Sequence, residues 1–384
     1  MYIHNYEQPL MQYTEYRINK WILIIVPPIL VVLGTFGNIF SFIILKRKPM
    51  LKFSTYFYLM VLAVAYTLVL YIGLLRMWIG ELIGSDIRDK ADWICKLTNV
   101  LGYTVSDFSV WLIIAVTVER YIVVCHPLKA NSFCNIPRAR RVTILLSVCL
   151  FCINVHFFWT VELEYHQADG VTIPRCAGGP AHATLVEDVW PWVDAALYSF
   201  LPSMVIILLN CLIIRQVILA HRSRSSMQEG AYENRRPSHE GSTRLTIMLL
   251  TISFTFLLTT LPMNVINIVI AFNSSAISDL STVAKFKLAM SVTQMLMYMN
   301  HSMNFFLYCA TGQKFRHQLV WLMCYSKRTS SGSLWGSGDN SPGATRMDSV
   351  RVNNKVVSAR WTPQNGGNCL LRSDMYSPLK TSTI

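Results

Sequence analysis

Residues 108–128 read FSVWLIIAVTVERYIVVCHPL. From Phe108 to Val118 no residue is charged, and then Glu119 and Arg120 stand side by side before the apolar run resumes. A carboxylate and a guanidinium inside such a run are expensive at a membrane edge unless they serve a purpose; two snorkelling charges at a helix end are the plain alternative. Upstream the apolar character persists to Trp93. Trp93 to Cys125 is therefore long enough to cross a hydrocarbon core of about 30 Å, for which roughly 20 mostly apolar helical residues suffice. Six further windows meet the requirement: Ile22 to Lys46, Ser54 to Trp78, Ala139 to Val161, Trp190 to Leu219, Arg244 to Phe272, and Ala284 to Ala310. The expected architecture is an all-α membrane protein, a seven-transmembrane helix bundle over residues 22–310.

The composition agrees. Hydrophobic residues make up 53% and charged residues 14% of the chain, against roughly 45–50% and 25% in a soluble domain. The net charge of +13 could suggest nucleic acid. It is carried, however, by short runs beside apolar segments, such as Lys46-Arg47-Lys48 and Arg138-Ala139-Arg140-Arg141, where cytoplasmic-leaflet charge belongs. No nucleic-acid partner is expected; the solvent is the lipid bilayer. Basic residues fill the loops after the first, third and fifth spans, whereas the second outer loop carries Glu162, Glu164, Asp169, Glu187 and Asp188. Positive-inside bias puts the amino terminus, residues 1–21, outside the cell and the carboxyl terminus in the cytosol. With no signal-peptide pattern in its first twenty residues, the first span acts as its own insertion signal. Residues 311–324 read as a short amphipathic eighth helix on the inner membrane surface, with Phe315, Leu319, Leu322 and Met323 at helical spacing. Residues 325–384, rich in Ser, Gly, Asn and Pro, read as a disordered cytoplasmic tail, and residues 223–242 read the same way. Among ten cysteines, most lie in apolar stretches where a thiol behaves as a small hydrophobe. Only Cys95 and Cys176 fall beside segments placed outside. No cofactor and no metal are expected.

Local motifs narrow the class. Glu119-Arg120-Tyr121 is followed by His126-Pro127-Leu128. Gly37-Asn38 lies in the first span and Leu62-Ala63-Val64-Ala65 in the second, Pro202 and Pro262 interrupt the fifth and sixth, and the seventh ends in Asn300-His301-Ser302-Met303-Asn304-Phe305-Phe306-Leu307-Tyr308 before Phe315-Arg316. Together these resemble the rhodopsin-like (class A) G-protein-coupled receptors, most of all their neuropeptide branch, from Ile22 to about Met323. The resemblance implies a plasma-membrane receptor that binds an extracellular peptide ligand and activates a heterotrimeric G protein. It implies a disulfide between Cys95 and Cys176, prolines acting as hinges, and a switch made of Glu119, Arg120, Tyr121, Pro262, Asn304 and Tyr308. The neighbouring carboxylate would hold Arg120 until a partner draws it away.

Several residues depart from the family pattern. Tyr66 stands where the family carries a buried, sodium-binding aspartate, and a phenol is a poor ligand for a hard cation, so no sodium sensitivity of the usual kind is expected. Phe305 replaces the seventh-span proline, Thr259-Thr260-Leu261-Pro262 replaces C-W-x-P, Asn210 replaces a fifth-span tyrosine, and the fourth span lacks its central tryptophan. Phe305 and the Thr-Thr-Leu-Pro form are similar to invertebrate FMRFamide-type peptide receptors; the missing aspartate and tryptophan are not.

Gly102 sits where amine receptors carry an aspartate and Tyr298 where opsins carry a lysine, which disfavours a monoamine or retinal. Asp169-Gly170 between alternating apolar residues predicts a hairpin over the ligand mouth. Asp107 and Asp194 are ionisable groups at membrane depth, which mark either a ligand site or a hydrogen-bonded structural carboxylate. Tyr103, Asp107, Asp194 and Tyr298 are the candidate ligand-binding residues, and the acidic surroundings favour a basic ligand. Other outer aromatic residues, Trp78, Trp93, Trp159, Trp190 and Trp192, read as interfacial anchors.

On the inner side, Leu245, Leu249 and Ile252 would offer an apolar rim to a partner helix, and Glu240 is too far into the loop to trap Arg120. Cys324 is a candidate lipidation site. Thr329, Ser330, Ser331 and Ser333 are candidate kinase sites that would recruit arrestin, and the ending Ser382-Thr383-Ile384 fits a PDZ-domain protein. Asn273-Ser274-Ser275 is a sequon in an outer loop. A transporter or channel would need repeats or broken helix pairs, and an enzyme clustered His, Asp and Glu; neither is present in the sequence. The alternative left open is a chemosensory or other non-peptide receptor of the same family.

Overall fold

The computed structural model describes residues 9–168, 171–227, 237–272, 279–332, 359–363 and 369–373. Seven long helices follow one another: α1 (Thr14–Leu45), α2 (Ser54–Ile83), α3 (Asp92–Cys125), α4 (Ile136–Thr160), α5 (Thr184–Ala220, continuing to Met227), α6 (Pro237–Phe272) and α7 (Leu280–Thr311). A helix α8 (Gln313–Gly332) follows. Between α4 and α5, strands β1 (Val161–Ala168) and β2 (Val171–Gly178) pair antiparallel. The unit Met1–Arg316 holds the bundle. A second unit, His317–Ile384, holds most of α8 and two paired strands, β3 (Ala359–Pro363) and β4 (Cys369–Ser373), within the segment expected to be disordered.

Burial is inverted relative to a water-soluble domain. Leu258 is 74% and Met204 70% exposed, whereas Asn38, Asp107, Asn154, Asn210, Asn300 and Asn304 are buried. Lipid as solvent requires that arrangement, because polar groups facing hydrocarbon would have no partner. Among the described residues six helices, α1 to α6, are long and apolar enough to cross a membrane. The 32-residue α7 falls short in composition because it buries Ser291, Thr293, Asn300, His301, Ser302 and Asn304 against its neighbours. Its polar character is an interior surface.

The α1 helix begins at Thr14, well ahead of Ile22, and accommodates the charges there by pairing: Lys20 Nζ lies 2.7 Å from Glu81 of α2. Pro27 and Pro28 lie inside α1. Since Pro28 cannot donate to the carbonyl four residues back, Ile24 accepts instead from the indole N–H of Trp78, at 2.9 Å. α1 also packs closely on α7. A Cβ at Gly34 would sit 2.3 Å from Leu70 Cδ1 and 2.8 Å from Ser302 Oγ, so a larger residue there would push both side chains aside; Ser302 donates to the Leu30 carbonyl at 3.0 Å. π-turns interrupt α2 at Leu70–Leu75 and α5 at Thr184–Val189 and Ala195–Phe200. The indole N–H of Trp111 on α3 donates to Leu197 O at 3.2 Å, filling an acceptor within that last turn.

Candidate functional site

At the end of the bundle that carries the hairpin, a disulfide joins Cys95, near the start of α3, to Cys176 on β2, across 81 residues. The hairpin register runs from Val161 opposite Gly178 to Ala168 opposite Val171, which leaves residues 169–170 for the connection; Asp169 and Gly170 themselves lie outside the described residues. Asp89 Oδ1 accepts from the Cys176 backbone N–H at 2.9 Å, and Asn99 donates to Cys176 Sγ at 3.3 Å. The Leu163 N–H on β1 donates to Asp92 Oδ1 at 3.3 Å, so among the described residues the hairpin is tied down by a covalent bond and three hydrogen bonds.

Asp86 organises the loop beside it. It accepts from the guanidiniums of Arg76 and Arg88 and from the Arg88 backbone N–H at 3.0 Å. Burial pushes its carboxyl up, but these donors together outweigh it and hold it below the usual carboxylate range.

Inside the mouth, Tyr103 stacks on Phe157 at 4.8 Å and meets Trp190 edge-on at 6.4 Å. Trp190, expected as an interfacial anchor, is buried in this aromatic wall. One turn deeper, Asp107 is 1% exposed; Asn154 of α4 donates to its Oδ2 at 3.0 Å, and its Oδ1 has no partner. Asp194 on α5 is half-buried. Tyr298 is buried in a cluster with Leu30, Val31, Val69, Leu70, Leu74 and Met295. Its hydroxyl would lie 2.6 Å from a Cβ at Gly73, so a side chain there would displace the Tyr298 ring.

At mid-depth Tyr66 is fully buried, accepts from Asn300 Nδ2 at 3.2 Å and meets His301 edge-on at 4.6 Å. Asn304 is buried beside this group with its amide unpartnered. Asn38 donates to His301 O at 3.2 Å. Phe305 packs on Phe40 at 6.0 Å and on Phe315 at 5.9 Å, and buried Tyr308 lies 5.3 Å from Phe315.

The opposite end of α3 departs from the expected Glu119–Arg120 clasp. Glu119 and Arg120 do not form an ion pair; Glu119 accepts from the Ser54 hydroxyl and Arg120 donates to the Thr55 hydroxyl, both on the first turn of α2. Adjacent residues on a helix do not face each other, so the two hydroxyls intercept one charge each. Arg120 is 5% exposed. With Thr117, Asn210, Ile213, Leu249 and Ser253 it lines a narrow seam between α3, α5 and α6 that has no room for a water molecule. Leu245, Leu249 and Ile252 are buried rather than presented as a rim. Tyr121 meets His126 edge-on at 5.6 Å. Pro262 is half-buried in an α6 that continues through it, and next to it Asn264 donates to the Ser199 hydroxyl of α5.

Sequence reasoning missed Ser54, Thr55 and Asn154. A hydroxyl or amide at a span end carries no signal in one sequence, and their partners lie 47 to 65 residues away. Cys324 and Glu240 lie on helices with their side chains outside the described residues, as do Thr329, Ser330 and Ser331. Asn273-Ser274-Ser275, Ser333 and Ser382-Thr383-Ile384 lie outside the described residues altogether.

The family model described as 7 transmembrane receptor (rhodopsin family) matches residues 37–308. The FMRFamide receptor of Drosophila melanogaster is 28% identical over 328 residues, covering 82% of this chain and 56% of that protein. The sex peptide receptor-related protein 2 of Caenorhabditis elegans is 24% identical, with 77% and 70% covered. The thyrotropin-releasing hormone receptor of Ovis aries is 23% identical, with 79% and 77% covered. The chain therefore spans little more than half the length of the Drosophila relative.

Proposed function

Because the chain belongs to the rhodopsin family of seven-transmembrane receptors, we propose that it is a plasma-membrane receptor, amino terminus outside, that binds a neuropeptide in the outer half of its bundle. Binding opens the inner half to a heterotrimeric G protein. The observation that carries this reading is the pairing of a disulfide-tethered hairpin at the outer mouth with a buried arginine at the inner end of the same helix, α3. A hairpin offers backbone and side-chain contacts to an extended peptide. Tyr103, Asp107, Asp194 and Tyr298 form or support the ligand chamber. Glu119, Arg120, Tyr121, Pro262, Asn304 and Tyr308 form the switch. The relatives favour the peptide class, since by their names they are receptors for FMRFamide, thyrotropin-releasing hormone and, in one case, a protein related to the sex peptide receptor.

When α6 swings outward, the space around Arg120 widens and Leu245, Leu249 and Ile252 become available to a partner helix. Phosphorylation at Thr329, Ser330, Ser331 and Ser333 would recruit arrestin, a lipid on Cys324 would hold the inner surface helix, and Ser382-Thr383-Ile384 would engage a PDZ domain.

The test is a neuropeptide library applied to cells expressing this chain with a promiscuous G protein. A peptide should raise a signal that Arg120→Gln abolishes while binding of the same peptide stays within about threefold, a difference under about 0.7 kcal/mol. Undiminished signalling by Arg120→Gln would remove the arginine from the mechanism.

A further inference from the structure

We propose that Asp89 and Asp92 are positioning residues for the hairpin, a pair of carboxylate prongs that hold it in one register and one orientation over the bundle even without the disulfide. These roles go beyond the receptor reading and do not depend on which ligand enters.

Leu163 and Cys176 stand directly opposite each other in the β1–β2 ladder. In an antiparallel pair, opposed residues alternate between bonding each other and pointing their amides away from the partner strand. The Cys176 N–H donates to Asp89 Oδ1 at 2.9 Å and the Leu163 N–H to Asp92 Oδ1 at 3.3 Å. This pair therefore points outward, and each carboxylate caps one edge of the ribbon. Edge amides are otherwise open to water or to a foreign strand. A slip of one residue would set the inward-pointing amides of neighbouring residues against the prongs, and both bonds would be lost.

The disulfide joins the hairpin to α3 at one residue, Cys176, and a ribbon held at one point is free to pivot. The Asn99 contact falls on the same sulfur and adds no second point. On the β1 side an open groove of about 400 Å³ lies between the strand and the loop before α3, lined by Lys90, Asp92, Lys96, Glu162, Leu163 and Tyr165. The Asp92 bond spans that open side. Attachment at the Cys176 sulfur, the Cys176 amide and the Leu163 amide together removes the pivot.

The prongs also have a fixed base. Asp89 lies in the short turn Ile87–Lys90, and Asp92 opens α3. Asp86, ahead of that turn, accepts from Arg76 of α2, and Arg88 within it donates to the Asn99 side chain of α3 at 3.2 Å. Lys96, one turn into α3, pairs with Asp92 Oδ2 at 2.7 Å, which leaves Oδ1 for Leu163. The loop is thus braced on two helices before it reaches the hairpin. A carboxylate accepting from a backbone N–H makes a charge-assisted bond, roughly twice as strong as a neutral one.

The experiment follows hydrogen exchange at the Leu163 and Cys176 amides of the full-length receptor in lipid nanodiscs. Asp92→Ala should speed exchange at Leu163 by about tenfold, and Asp89→Ala should do the same at Cys176. Asp92→Asn and Asp89→Asn retain an accepting oxygen and should stay within about threefold of wild type, a rescue that a general loss of stability would not show. Reducing the disulfide of the assembled wild-type receptor should leave both amides within about threefold of their protected rates. The same reduction of the Asp89→Ala/Asp92→Ala double variant should speed both by about a hundredfold. Exchange at the buried α3 residues Val110 and Ile113 reports that the bundle stays folded in every sample. Reduction alone releasing both amides as far as in the reduced double variant overturns the clip. So does unchanged protection in the alanine variants, or an asparagine variant that exchanges as fast as its alanine counterpart.

Discussion

Asp107 and Glu119 are buried carboxylic acids on one helix, 12 residues apart, or roughly 18 Å along its axis. The inner one has an arginine as its chain neighbour and a serine hydroxyl donating to it. The outer one has a neutral amide as its donor. The inner group is electrically complete and stays so until something draws Arg120 away. The Asp107 carboxyl has one neutral donor and one oxygen without a partner. The same residue chemistry, placed at two depths of α3, therefore yields a latch at one end and a carboxyl with only a neutral donor at the other.

The sharpest way to break this contrast is to make the same change at both ends. Glu119→Gln weakens the charge-assisted hydrogen bond from Ser54 and should destabilise the resting protein by about 1.5 kcal/mol. Asp107→Asn removes a charge that nothing compensates and should raise the unfolding midpoint by about 2–4 °C. Equal signs in thermal unfolding would end the comparison. An effect of similar size is expected from Thr55→Val, which keeps the shape and removes the acceptor of Arg120. A hydrogen bond to a charged group contributes about 1.5 kcal/mol, so ligand-free signalling should rise about tenfold; unchanged basal signalling would show that Thr55 does not restrain the arginine. The smallest effect is one of pH at Asp86. Its carboxyl is held low, so its contribution to stability is present above the ordinary carboxylate pKa of about 3.9 and is lost as pH falls through the lower folded value. Thermal unfolding should therefore be insensitive to Asp86 between pH 7 and 5 and weaken only below about pH 4. Asp86→Asn should flatten that acid limb.

Much of this architecture is legible in the sequence, because lipid imposes length and apolar character on every crossing. The hairpin is legible for a similar reason, since alternation and a two-residue turn fix a register. The seventh crossing is legible as the window Ala284 to Ala310, although Asn300, His301, Ser302 and Asn304 turn inward and make α7 more polar than the others. The helix α1 begins at Thr14, ahead of the apolar window at Ile22, and Lys20 in that extension pairs with Glu81, a partner 61 residues away. At the site, charged residues announced themselves, but the neutral groups that hold them did not. Ser54, Thr55 and Asn154 are ordinary residues until the chain folds, and tertiary proximity alone gives them their roles.

The proline pair in α1 carries a further consequence. By freeing the Ile24 carbonyl, Pro28 exchanges an internal helix bond for one to the Trp78 indole. Dispersion contacts tolerate gradual sliding, whereas a hydrogen bond weakens steeply once misaligned. The outer quarter of the first crossing is consequently indexed to the second one. A bilayer thin enough to tilt α1 would have to tilt the pair together or leave a carbonyl bare in hydrocarbon.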